Sequence, residues 1–150
     1  MAETMIDPAW AEDYPPNIQA ILRKPSPASA FLGLELVAFD REAGLARMAF
    51  HAGEQLCNKW GGLHGGMVAA MLDDAISIAM GLAVEWGEIT PTFELKTSFI
   101  AVGRPGRLEA IGQVVKRGGS VGFVEARLWD AEANLIATAS ATLGIRKHKR

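Results

Sequence analysis

The chain has 150 residues, 49% hydrophobic and 21% charged, with a net charge of −2. That is enough apolar material for one domain with a substantial core and too much for a disordered segment, while the near-even charge excludes a general affinity for nucleic acid. A single cysteine, Cys57, excludes an intrachain disulfide and suits a reducing cytoplasm.

Residues 1–29 read as a lead-in. The stretch MAETMIDPAWAEDYPP is acidic and proline-containing, without the basic start or apolar stretch of a signal peptide. PPNIQAILRK predicts a short helix started by proline, and PSPASA reads as a loop. The main domain is expected over residues 30–145. LELVAFD and LARMAFH are strand-like runs around DREAG, a hairpin turn, and GEQLCNKWGGLHGG is a glycine-rich loop.

The most hydrophobic segment follows. From Met67 to Val84 almost every residue is apolar, and Ala, Met and Leu dominate, which favours a helix. Its start is marked by Gly65-Gly66 and its end falls between Gly81 and Gly87. It shows no polar stripe, so it is expected to be covered on nearly all sides. Its length is that of a membrane span, but Asp73 and Asp74 sit at its centre and no Lys or Arg flanks it. A helix buried in a protein, with no membrane partner, is the expectation.

Four strand-like runs complete the domain: TPTFELKTSFIA, GRLEAIGQVVKR, SVGFVEARLWD and NLIATASATLGI. Phe93, Leu95, Thr97 and Phe99 alternate with Glu94, Lys96 and Ser98, as for a strand with two different faces. The connectors VGRP, GG and AEAN are short, so the four strands are expected to be antiparallel neighbours. Two strands, one long helix and four strands make an α+β arrangement, one curved antiparallel sheet around one helix. Residues 146–150, RKHKR, hold four of the 15 Lys and Arg and read as a solvated basic tail.

Several residue sets carry possible chemistry. GGSVG, residues 118–122, matches G-x-S-x-G, and Asp130 and His148 follow in the order of a hydrolase triad. That motif needs a strand, a sharp turn and then a helix, whereas VGFVEARLWD alternates like a strand. A hairpin turn is the expectation. Cys57, His64 and Asp73 contain the residue types of a nucleophilic triad, but their spacing fits no zinc pattern, and His51 has no evident partner. No metal or redox cofactor is expected.

The helix itself is the stronger candidate. HGG at its start places free N–H groups at the positive end of a dipole, able to hold an anion or polarise a carbonyl. Asp73 lies seven residues after Gly66, about 700° round the helix and so nearly on the same face; Asp74 is rotated by about 100°. The two acids therefore have different jobs. Taken alone, Asp73 is open to two readings: a reactive acid, or a structural one bonded to N–H groups or to a Lys or Arg.

NKWGGLHGGMVAAMLDDAIS resembles the motif of the PaaI-type hot-dog acyl-CoA thioesterases: an Asn, G-x-H-G-G, then a helix bearing an acid. The resemblance extends over roughly residues 30–145 and implies an acyl-CoA substrate, hydrolysed to acid and CoA. It implies Asp73 as general base or nucleophile, the Gly65 N–H as carbonyl-polarising donor with Gly66 beside it at the substrate, and Asn58 and His64 placing the thioester or the water. Thr92, on the strand after the helix, falls where a Ser or Thr assists the acid. A homodimer, or a dimer of dimers, pairs its sheets side by side. Geometry points the same way. Gly65 and Asp73 are eight residues apart, about 12 Å along one helix. A base and an oxyanion donor must both come within about 3 Å of the reacting groups, which two antiparallel copies of the helix can arrange.

Arg104, Arg107, Lys116 and Arg117, at strand ends, are candidates for CoA phosphates; Arg104, Lys116 and Arg117 are the ones placed at the substrate. The other readings are a non-catalytic acyl-CoA binding or sensing protein, a hot-dog dehydratase, and a serine hydrolase through Ser120.

Overall fold

The computed structural model describes residues 4–7 and 12–148. Its elements are β1 (Thr4–Met5), α1 (Pro16–Arg23), α2 (Pro27–Phe31), β2 (Leu34–Asp40), β3 (Leu45–Ala52), α3 (Gly65–Ala83), β4 (Glu88–Ile89), β5 (Thr92–Phe99), β6 (Gly106–Arg117), β7 (Val121–Asp130), β8 (Leu135–Gly144) and β9 (Arg146–Lys147). Seven strands form one antiparallel sheet in the order β1-β2-β3-β6-β7-β8-β5, and β4 pairs with β9. The sheet curls round α3. This is the α+β hot-dog arrangement that the resemblance implies.

Small residues let the helix sit close to the sheet. Leu108, Ala110 and Gly112 of β6 and Val124, Ala126 and Leu128 of β7 turn inward on alternate positions and are buried. Opposite them on α3 lie Met71, Leu72, Ala75, Ile76, Ala79 and Met80, all fully buried. At Gly112 a side chain is impossible, because a Cβ there would collide with the Ala75 carbonyl oxygen. Among the described residues α3 alone has the length and apolarity of a membrane span, with mean hydropathy 1.5, and it is the core helix of the sheet.

Four features differ from the sequence expectations. First, β5 does not pair with its chain neighbour β6 but lies beside β8, because β6 is already flanked by β3 and β7. Residues 100–105 cross the end of the sheet, held by the Ile100 and Ala101 N–H groups, which both donate to the Ile136 carbonyl. Second, α3 is not covered on nearly all sides. Gly66, Ala69, Ala70, Asp73, Ser77, Ile78 and Gly81 form a partly open stripe, which faces away from the strands that bury Met71, Ala75 and Ala79. Third, PSPASA is not wholly loop: Ser26 caps α2, accepting from the Ser29 N–H at 3.0 Å, with Pro27 in the first turn. Fourth, the basic tail begins in a strand, with Arg146 paired to Ile89 and Lys147 to Glu88. Residues 149–150 lie outside the described residues.

Candidate active site

The start of α3 is built by the loop before it. The Cys57–Leu63 bridge closes the loop, and within it the Asn58 N–H donates to the Gly62 carbonyl. The Asn58 carboxamide Oδ1 accepts from the Trp60 N–H at 2.9 Å. His64 is extended and stands at the helix cap, where its Nδ1 accepts from the Gly66 N–H at 3.0 Å. With Nδ1 accepting, a neutral ring carries its proton on Nε2. The His64 carbonyl takes the N–H groups of Met67 and Val68. Among the described residues the Gly65 N–H has no acceptor, so the first donor of the helix stays open. The Phe99 ring lies beside it: a Cβ on Gly65 would sit 3.4 Å from its nearest carbon.

Asp73 is half-buried two turns further on, and the Thr92 hydroxyl donates to its Oδ1 at 2.8 Å. A β-bulge makes this contact. Leu95, Thr97 and Phe99 pair with Ala141, Ala139 and Ala137 on the inward face; simple alternation would then turn Thr92 outward. The register instead slips between Thr92 and Glu94, leaving Phe93 extra, and Thr92 points at the helix. Sequence alternation grouped Phe93 with Leu95, Thr97 and Phe99 and missed the bulge; no residue in TPTFEL marks it plainly.

Asp74 behaves differently. Its Oδ1 accepts from the Ser29 hydroxyl at 3.1 Å, while its Oδ2 is buried without a partner. Burial pushes its pKa up to about 6; the Ser29 hydrogen bond opposes the rise and the Asp73 charge adds to it. Ser29 escaped the sequence reading, although Ser-Pro at the start of α2 is a capping signal.

The basic candidates are spread over the molecule. Arg104 follows Gly103, whose carbonyl takes the Leu63 N–H, so it stands near the start of α3. Gly66 is at the same end. Lys116 and Arg117 end β6, roughly 35 Å from its first residue. There Arg117 lies 3.4 Å from Glu88, past the far end of α3. Within one chain no single phosphate group reaches both ends. Arg107 is engaged by Glu35 and Glu109, both at 3.3 Å, and His51 also meets Glu35, at 2.9 Å.

The hydrolase-like motif falls apart in space. Ser120 lies in the turn before β7, Asp130 ends that strand about 30 Å away, and among the described residues no helix follows the serine. Asp130 accepts instead from Glu132 and Asn134. Nor do Cys57, His64 and Asp73 form a relay, since the His64 Nδ1 and the Asp73 Oδ1 are engaged by Gly66 and Thr92. Among the described residues no three His, Cys, Asp or Glu side chains cluster.

The thioesterase superfamily model matches residues 61–137, from the loop before α3 into β8. The chain belongs to the thioesterase superfamily. The medium/long-chain acyl-CoA thioesterase YigI of Escherichia coli (strain K12) is 27% identical, over 77% of this chain and 83% of its own. A phenylacetic acid degradation-related protein from Ralstonia eutropha JMP134 superposes with a TM-score of 0.78 at 31% identity, covering 84% of this chain and 97% of that one. The PaaI protein of the E. coli phenylacetic acid degradation operon gives a TM-score of 0.79 at 20% identity, over 94% and 96%.

Proposed function

We propose that this thioesterase hydrolyses an acyl-CoA to the free acid and CoA, with Asp73 as general base. The observation that carries the reading is the Asp73–Thr92 pair: a half-buried carboxylate set in the apolar core helix, with Oδ1 held by a hydroxyl at 2.8 Å. In the scheme Oδ2 takes the water. The water attacks the thioester carbonyl and gives its proton to Asp73. Negative charge builds on the carbonyl oxygen, which the open Gly65 N–H and the helix dipole stabilise. The tetrahedral intermediate collapses, the C–S bond breaks, and the CoA sulfur leaves with the proton from Asp73. Asn58 offers its amide N–H groups and His64 its Nε2 at the carbonyl side, with Gly66 lining the approach.

The site is shared between two subunits, because Gly65 and Asp73 of one helix stand about 12 Å apart. Two features support that assembly. β5 is an edge strand with one row of unpaired backbone groups. Large apolar side chains around the start of α3 are exposed, with Trp60 at 79%, Phe99 at 56% and Val102 at 69%. The CoA phosphates fall to Arg104 near one helix end and to Lys116 and Arg117 near the other, a division that antiparallel subunits bring together. The unpaired thiol of Cys57 accords with a cytoplasmic enzyme.

The test is thiol release from a panel of acyl-CoAs. Asp73→Asn keeps the shape and removes the base, so kcat falls by about 10²-fold or more while acyl-CoA still binds. Undiminished turnover by this variant would sink the assignment.

A further inference from the structure

A second feature of the open stripe on α3 has no part in the scheme above. Beyond Asp73 the stripe continues through Ser77, one turn on, to Gly81, two turns on. A Cβ on Gly81 would meet nothing within 4 Å, so the groove floor is bare there. It opens into a cavity of about 550 Å³ between the second half of α3, α1 and the β4 segment. That volume lies within the usual range for a small-molecule pocket. Ile21, Ile78, Trp86 and Ile89 supply apolar walls. The polar groups nearby are mostly engaged. The Asn17 amide donates to the Gly81 carbonyl at 2.5 Å, and the Glu88 carboxylate takes the Glu85 N–H and faces Arg117.

We propose that this cavity receives the far end of the substrate's acyl group, with Ser77 and Gly81 as the bed of the chain and Trp86 with Ile89 as its end wall. The proposal rests on the thioesterase reading of Asp73. Three physical points carry it. The cavity starts at Ser77, one turn from Asp73 on the same helix face, so a chain attached to a carbonyl at Asp73 reaches it along the open stripe. The path along the helix from Asp73 to Gly81 at the cavity floor is about 12 Å, which fits a medium-length aliphatic chain rather than an acetyl group. Its walls are apolar on several sides, with Ile21, Ile78, Trp86 and Ile89, and the Glu88 carboxylate at its rim is already occupied by the Glu85 N–H and by Arg117, so the cavity suits an alkyl chain better than a charged group. Burial of that chain draws on the hydrophobic effect, which grows with each methylene.

The experiment compares acetyl-, hexanoyl-, decanoyl- and palmitoyl-CoA as substrates of the full chain and of Gly81→Leu, whose side chain fills the groove floor. The parent protein should favour decanoyl- over acetyl-CoA in kcat/KM by at least roughly tenfold, and Gly81→Leu should lower that ratio by at least roughly tenfold. Circular dichroism and light scattering establish that the variant is folded and assembled as its parent. Ser77→Leu supplies a second obstruction if Gly81→Leu does not fold. An independent arm measures binding by calorimetry in the Asp73→Asn background, where decanoyl-CoA should bind more tightly than acetyl-CoA, and Gly81→Leu should remove the difference. A chain-length ratio unchanged by the leucines overturns the pocket. Absence of turnover on every thioester, with chain-length discrimination intact in the binding arm, overturns the reaction and leaves the pocket standing.

Discussion

The buried half of Asp74 makes stability depend on pH in a direction opposite to most acids. Its carboxyl titrates near 6 in the folded protein and near 3.8 in the unfolded chain, so between those values the folded state holds the proton more tightly. Below about 3.8 both states are protonated and the group costs nothing. As pH rises through 6 the folded state must ionise a carboxylate whose Oδ2 has no partner, and stability falls. The displacement corresponds to at most about 3 kcal/mol, and to about 1–2 kcal/mol once the water reaching a partly open carboxylate is counted. Asp74→Asn keeps an oxygen for the Ser29 hydroxyl and cannot ionise. Urea unfolding of both proteins at several pH values and one fixed protein concentration isolates the effect, since Glu35 and Asp130, whose pKa values are lowered, contribute equally to each. The stability of Asp74→Asn relative to its parent should rise by about 1–2 kcal/mol between pH 4 and pH 7.5. A difference that stays flat across that range would refute the account of Asp74.

The remaining predictions concern the site. Gly65→Pro removes the open N–H at the first helical position, where proline is tolerated and where extended His64 already suits a following proline; kcat should fall by about 10²–10³-fold, while Gly65→Ala retains most activity. Normal turnover by a folded Gly65→Pro protein would remove that donor from the mechanism. Thr92→Val deletes the hydroxyl that holds Asp73, and steady-state kinetics should show kcat lowered roughly 10- to 100-fold with KM little changed. Refolding Gly65→Pro and Asp73→Asn chains together should restore activity, because hybrid dimers rebuild one intact site; a mixture as inactive as its components would mean that each subunit works alone.

The frame of this molecule is legible in its sequence because period and punctuation agree. LELVAFD and GRLEAIGQVVKR coincide with β2 and β6 residue for residue, and the glycine pair before the apolar run coincides with the first turn of α3. The acids separate on one helical rotation, and Thr92 and Asp73 do meet. What was illegible depends on long-range choice. Which edge β5 joins is decided by the sheet already wrapped round the helix, not by the length of VGRP. The bulge at Phe93 leaves no mark in the alternation, and it alone brings Thr92 inward. An apolar stripe without charges gives no sign that its small members, Ser77 and Gly81, stay open. Arg146 and Lys147 look solvated by charge, yet they pair because the end of β8 delivers them beside β4.

The strand order also fixes a schedule. A ribosome completes α3 at Ala83, when β2 and β3 are the only long strands of the sheet yet synthesised, whereas β6, β7 and β8, which bury most of the helix, run from Gly106 to Gly144. At about 5–20 residues per second, the most apolar segment of the chain waits roughly 3–12 s for its cover. During that interval it has the length and apolarity that a membrane insertion machinery recognises. Asp73 and Asp74 then act as a deterrent, since each carboxylate at the centre of a spanning helix costs about 2.5–3.5 kcal/mol on insertion. The acid proposed here as the base and the acid that carries the pH response thus share a third effect, raising the cost of inserting the unfinished core helix into a membrane.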